Sequence, residues 1–103
     1  MSVKKDFQTS LAMEAELNKE RAGALGRTGY LLELHLAQCR TLLEQLRDAT
    51  GRERRRLVAE YRVARAEAEK YRWYLTIQRE AVGLRRHDDV ERLYPTPPVV
   101  RED

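Results

Sequence analysis

The sequence predicts an all-α chain: a long antiparallel helical hairpin, in effect a two-helix coiled coil, followed by an extended proline-containing tail. All three prolines fall between positions 95 and 98, so the strongest helix breaker is missing from everything before them. Leucine (14 residues) and alanine (11) far outnumber valine (7) and isoleucine (1), a balance that favours helix over sheet. From Leu11 onward, small or apolar residues recur at alternating steps of four and three, through Ala15, Asn18, Ala22, Leu25, Gly29, Leu32, Leu36, Cys39, Leu43 and Leu46. That is the spacing of a heptad seam.

At 103 residues the chain is one domain's worth, and each element can be placed in turn. Residues 1–8 read as an N-terminal arm that lacks the apolar run of a secretory signal. The first helix is expected over about 9–49, a turn over about 49–52 and a second helix over about 52–87. Gly51 can end the first helix, and Thr50 with Glu53 fits the T-x-x-E box that caps a new one. The second helix carries its own seam: Leu57, Tyr61, Ala64, Ala68, Tyr71, Leu75, Gln78, Val82 and Arg85.

A short link makes neighbouring helices antiparallel, so facing residues have numbers adding to a constant, here about 100. Leu43 then meets Leu57, Cys39 meets Tyr61, Leu36 meets Ala64, Leu32 meets Ala68, Gly29 meets Tyr71, Leu25 meets Leu75 and Ala22 meets Gln78. Large faces small in most layers. The glycines at 23, 26 and 29 lie opposite Tyr71, Trp73, Tyr74 and Ile77 and read as relief for those rings. The alternative is a break near Gly26–Gly29, N-capped by Thr28, which would give three helices. Asn18 and Gln78 are the polar seam members, either fixing register or marking a wet, frayed end.

Two helices bury only one seam, and small cores rarely suffice alone. Leucines beyond the seam (Leu31, Leu34 and Leu42), with Trp73, Tyr74 and Ile77 on the second helix, need a cover. A second helix pair supplies it, giving a four-helix bundle by self-association or with another protein. The tail, 88–103, turns extended at Pro95-Thr96-Pro97-Pro98. Leu93, Tyr94, Val99 and Val100 can fold back over the bundle, or the P-x-x-P can act as a free peptide ligand.

Charge is uneven. Residues 1–51 are net neutral, 52–87 carry net +6 and 88–103 net −3. Arg65, Arg72, Arg79 and Arg86 form a row at seven-residue spacing that flanks the seam. Arg65 and Arg72 have Glu69 within one turn and Arg86 has Asp89, whereas the residues three and four positions from Arg79 are Leu75, Thr76, Val82 and Gly83, none of them acidic. Arg54, Arg55 and Arg56 place positive charge in the first turn of the second helix, where the macrodipole disfavours it.

Chemistry is sparse. Cys39 is the single cysteine, which excludes an intrachain disulfide and a cysteine-rich zinc site. His35 lies four residues before it, but two ligands do not make a metal site. No base is placed to activate Cys39, and no glycine-rich loop follows a strand. No catalytic residue, cofactor, metal or small-molecule substrate is therefore expected. No stretch approaches the ~18 apolar residues of a membrane span, and the chain reads as cytoplasmic.

The function expected is that of a non-enzymatic interaction module, an adaptor, scaffold or regulatory subunit. Its partner is another copy, a dimer being favoured, or another protein, met through Leu31, Leu34, Leu42, Trp73, Tyr74 and Ile77. The alternative is a nucleic-acid-binding hairpin that uses Arg54, Arg55, Arg56, Arg72, Arg79 and Arg86.

Overall fold

A computed structural model describes residues 3–101. It contains α1 (Val3–Leu46), α2 (Gly51–Ala81) and a short α3 (Asp88–Leu93), and no strand among the described residues. The two long helices pack against each other over part of their length, and the molecule measures 75 × 21 × 15 Å. Beside the turn, Cys39, Leu42 and Leu46 share a cluster with Leu57, Val58, Tyr61 and Ala64. Further from it, Leu32 and Leu36 cluster with Ala68, Leu75 and Val90.

The sequence register accounts for much of this core. Leu43 and Leu57, Cys39 and Tyr61, Leu32 and Ala68, and Leu25 and Leu75 each fall in a common cluster. Leu42 is the exception. Expected on an outer stripe, it is only 5% exposed, while Leu43 is half-buried. Leu42 lies three residues after Cys39 and four before Leu46, so it shares their helix face.

The element boundaries differ in four places. Residues 3–8 are the first turns of α1 rather than a separate arm, and α1 ends at Leu46, three residues early. Thr50 takes the N-cap backbone conformation of α2, yet its side chain makes no capping hydrogen bond. Glu53 turns instead to Arg56, with oxygens 2.6 and 3.1 Å from the guanidinium, so the capping box does not form. At its far end α2 stops at Ala81 rather than near 87. Gly83, at φ 90°, lets the Leu84 N–H reach the Arg79 carbonyl (2.9 Å) while its own N–H reaches that of Glu80 (3.0 Å). This pair of bonds is the Schellman closure that a left-handed glycine permits.

The N-terminal part of α1 overhangs the packed region. Every residue from Lys4 to Gly23 is exposed, about 30 Å of helix at 1.5 Å per residue. Ala22 is therefore not buried against Gln78, although α2 runs past that residue, and Asn18 is exposed as well. The helix passes through its three glycines unbroken. A Cβ on Gly29 would sit 3.5 Å from the Tyr94 hydroxyl, whereas Gly26 faces open space and Gly23 meets Arg27 of its own helix. At 3.5 Å that contact would be an ordinary one, so none of the three glycines is needed as relief for the rings of α2.

The tail is not wholly extended. α3 seats Val90 in the core at 3% exposure, and the stretch after Tyr94 has no regular secondary structure.

Candidate functional site

Two surfaces concentrate what chemistry the chain has. The first is apolar and unpartnered. Trp73 is 62% exposed, Leu34 48%, and Tyr74 and Ile77 42% each, while Leu31 is half-buried. Leu42 leaves this set because it is core. Trp73 and Tyr74 pack ring against ring at 5.7 Å, and Tyr74 meets Tyr71 edge-on at 6.0 Å. Tyr71 in turn stacks on His35, with centroids 5.3 Å apart and planes 8° from parallel. The imidazole is thus one layer of an aromatic stack. Among the described residues no three His, Cys, Asp or Glu side chains converge on a metal-sized site. Phe7, Leu11, Met13 and Leu17 add exposed apolar area along the α1 overhang.

The second surface is the arginine row, and the tail covers much of it. Arg72 Nε donates to the Tyr94 carbonyl at 3.0 Å, and Arg65 Nε to that of Pro97 at 2.9 Å. The Tyr61 hydroxyl donates to the Pro98 carbonyl, and Arg54 Nη2 to that of Arg101 at 3.2 Å. Arg79, which has no acidic residue three or four positions away on its helix, donates from Nη2 to the Arg86 carbonyl at 3.2 Å. Its Nε is buried and makes no hydrogen bond to the described residues. Arg65 also pairs with Glu69 at 3.0 Å, as its spacing suggests. Asp89 bonds Arg92 rather than Arg86.

At the tip, Arg56 bridges Glu53 and Glu60, at 2.6 Å from each. Arg55 lines a shallow groove with Val58, Ala59 and Arg62. Of the six arginines expected to meet nucleic acid, Arg54, Arg56, Arg72 and Arg79 are engaged within the chain, which leaves Arg55 and Arg86. The exposed tyrosine and tryptophan cluster and the arginine row were both visible in the sequence. That the row would meet main-chain carbonyls was signalled only by its seven-residue spacing beside a proline-rich tail. Val90 gave a weaker signal still, being one valine in a charged stretch.

Between α1 and α3 lies an open groove of about 450 Å³, lined by Leu25, Gly29, Tyr30, Leu75, Val90 and Tyr94. Cys39 and Tyr61 sit inside the core. Burial pushes the Cys39 thiol above its ordinary 9.0, against the pull of Arg65 and Arg40. Burial likewise raises the Tyr61 phenol above 10.0, helped by Cys39 and opposed by Arg65. Both acids are neutral in the fold and ionise sooner in the unfolded chain. Their stabilisation is therefore complete below the unfolded values and falls away as pH rises through 9.0 and 10.0 toward the folded ones. The melting temperature should drop as pH rises through 9.0 and 10.0, and Cys39→Ala should remove the first part of that drop. An identical pH profile for the variant and the parent would contradict this placement of the thiol.

Among the described residues no helix is long and apolar enough to cross a membrane. No protein-family model, curated protein or solved structure matches this chain.

Proposed function

We propose that the chain is a non-enzymatic helical-hairpin interaction module, an adaptor, scaffold or regulatory subunit, that works by pairing with a second copy or with another protein. One observation carries this reading: large apolar side chains stay exposed on both long helices, at Leu34 on α1 and at Trp73, Tyr74 and Ile77 on α2. Isolated exposed apolar residues are ordinary, but an aromatic cluster of this kind is the composition of an interface hot spot. The α1 overhang extends the same argument, because a helix with no packed face has little tertiary support of its own. An antiparallel coiled-coil hairpin closed into a four-helix bundle would bury both surfaces, and a dimer is the smallest assembly that does so.

The runner-up is a nucleic-acid-binding hairpin. It is supported by the net +6 of residues 52–87, and weakened by the arginines that already donate to the tail.

Leu34→Glu combined with Ile77→Glu should split the assembly to monomer while the helical content is retained, as read by sedimentation velocity and far-UV circular dichroism. An unchanged sedimentation coefficient would remove these residues from the interface. Salt separates the two readings. Retention on nucleic acid should weaken by orders of magnitude between about 50 and 200 mM salt, whereas an apolar interface hardly responds.

A further inference from the structure

We propose that the face of α2 carrying Arg54, Tyr61, Arg65 and Arg72 is a receptor for an extended, proline-bearing peptide, a site that the chain's own residues 94–101 fill in cis. The proposal goes beyond the interaction module above, because it rests on side-chain donors to main-chain carbonyls rather than on exposed apolar side chains and does not require self-association.

The chemistry begins with proline, which has no N–H to donate. A proline-bearing strand in the polyproline form keeps its carbonyls unpaired, so a receptor recognises it chiefly by supplying donors. The contacts to this segment follow that rule: Arg72, Arg65, Tyr61 and Arg54 donate, and the carbonyls of Tyr94, Pro97, Pro98 and Arg101 accept.

Spacing makes the match repeatable. Arg72 to Arg65 is one heptad, as is Tyr61 to Arg54, and each spans about 10.5 Å of helix. Their acceptors advance from Tyr94 to Pro97 and from Pro98 to Arg101, three residues each time. Three residues are one polyproline turn, about 9.3 Å. A heptad of donors on the helix is therefore nearly commensurate with a turn of the peptide.

Carbonyl contacts read backbone shape and leave sequence preference to the side chains that enter the groove. Those are Tyr94, Pro97 and Val100, all half-buried, whereas Thr96 and Val99 face solvent. The groove thus favours an aromatic residue followed six positions later by an aliphatic one, with prolines between. The resident segment is held lightly, because Val90, upstream of the ladder, is its one fully buried anchor. A tether of this kind holds its ligand at an effective concentration on the order of 1 mM, so a free peptide must compete against that.

The test titrates a fluorescein-labelled peptide of residues 93–101 into the full chain and into the full chain carrying Tyr94→Ala and Val100→Ser. The doubly substituted chain should bind at least tenfold more tightly than the parent. Adding Arg65→Ala and Arg72→Ala to it should weaken binding at least tenfold, as should replacing the peptide's prolines by alanine. No binding to the substituted chain by millimolar peptide, or binding indifferent to Arg65 and Arg72, would overturn the proposal. If the substituted chain loses its helical signal, the parent serves instead. Millimolar unlabelled peptide should then speed tryptic cleavage after Arg92 at least fivefold, and an unchanged rate would overturn it. Neither readout depends on oligomer mass, so this test can fail while the interaction module stands.

Discussion

Replacing Tyr61 with alanine is expected to destabilise the protein by about 3–5 kcal/mol, the range for deleting a buried aromatic ring. Tyr61 is 0% exposed and sits among Cys39, Leu42, Leu57 and Ala64, in the cluster that holds the two long helices together beside the turn. A hairpin with one seam has few neighbours able to collapse into the hole, which places the cost toward the upper end. Since small domains have only about 5–15 kcal/mol of stability in total, the variant should melt more than ten degrees below the parent. Tyr61→Phe keeps the ring and loses the hydroxyl's bond to Pro98, a change of about 1 kcal/mol. Chemical denaturation of both variants checks the pair. Equal losses would mean that the hydroxyl, not the packed ring, holds the site.

Val90→Asp should act differently. Val90 is 3% exposed against Leu32, Leu36, Ala68 and Leu75, and it is the residue through which α3 enters the core. A carboxylate cannot remain in that environment unpaired, so α3 and the segment after it should detach instead of taking the charge inside. Detachment is a local opening, and its cost to the whole fold is capped by the free energy of docking the tail. Helical content should therefore survive while trypsin cuts after Arg92 at least tenfold faster. Cooperative loss of the whole helical signal would show that α3 is integral to the hairpin rather than strapped onto it.

How far the fold was legible follows from which signals are local. The seams from Leu25 to Leu46 and from Leu57 to Leu75 repeat over several heptads, so period alone located most of the core. The far end of α2 was misjudged because apolar spacing runs on through Val82 and Leu84, whereas a single glycine, Gly83, decides where the helix closes. That one error propagated. With α2 ending at Ala81 the register reaches only to about residue 19 of α1 instead of about 13, and the exposure of α1 runs further still, through Gly23. Leu42 and Leu43 illustrate the finer limit, since adjacent residues at the edge of a seam differ in burial only through the turn that follows them.

The arginine row was conspicuous, but its use was not. A guanidinium at heptad spacing reads equally well as a phosphate contact, an ion pair or a carbonyl donor, and only the path of the tail decides among them. Arg79 makes the point, because the absence of an acidic neighbour suggested an external anion and the structure supplies the Arg86 carbonyl. His35 is similar: four residues from Cys39 it resembles half a metal site, and it is occupied by stacking on Tyr71.

Of the two pairings proposed for the exposed apolar side chains, with a second copy or with another protein, absolute mass tests the first most directly. Light scattering on the nuclease-treated chain, at low and at high salt, should give twice the 12.1 kDa of one chain, or a higher multiple, unchanged by salt. A monomer at both salt concentrations, across the range up to about 100 μM where apolar interfaces of standard size are occupied, would contradict it.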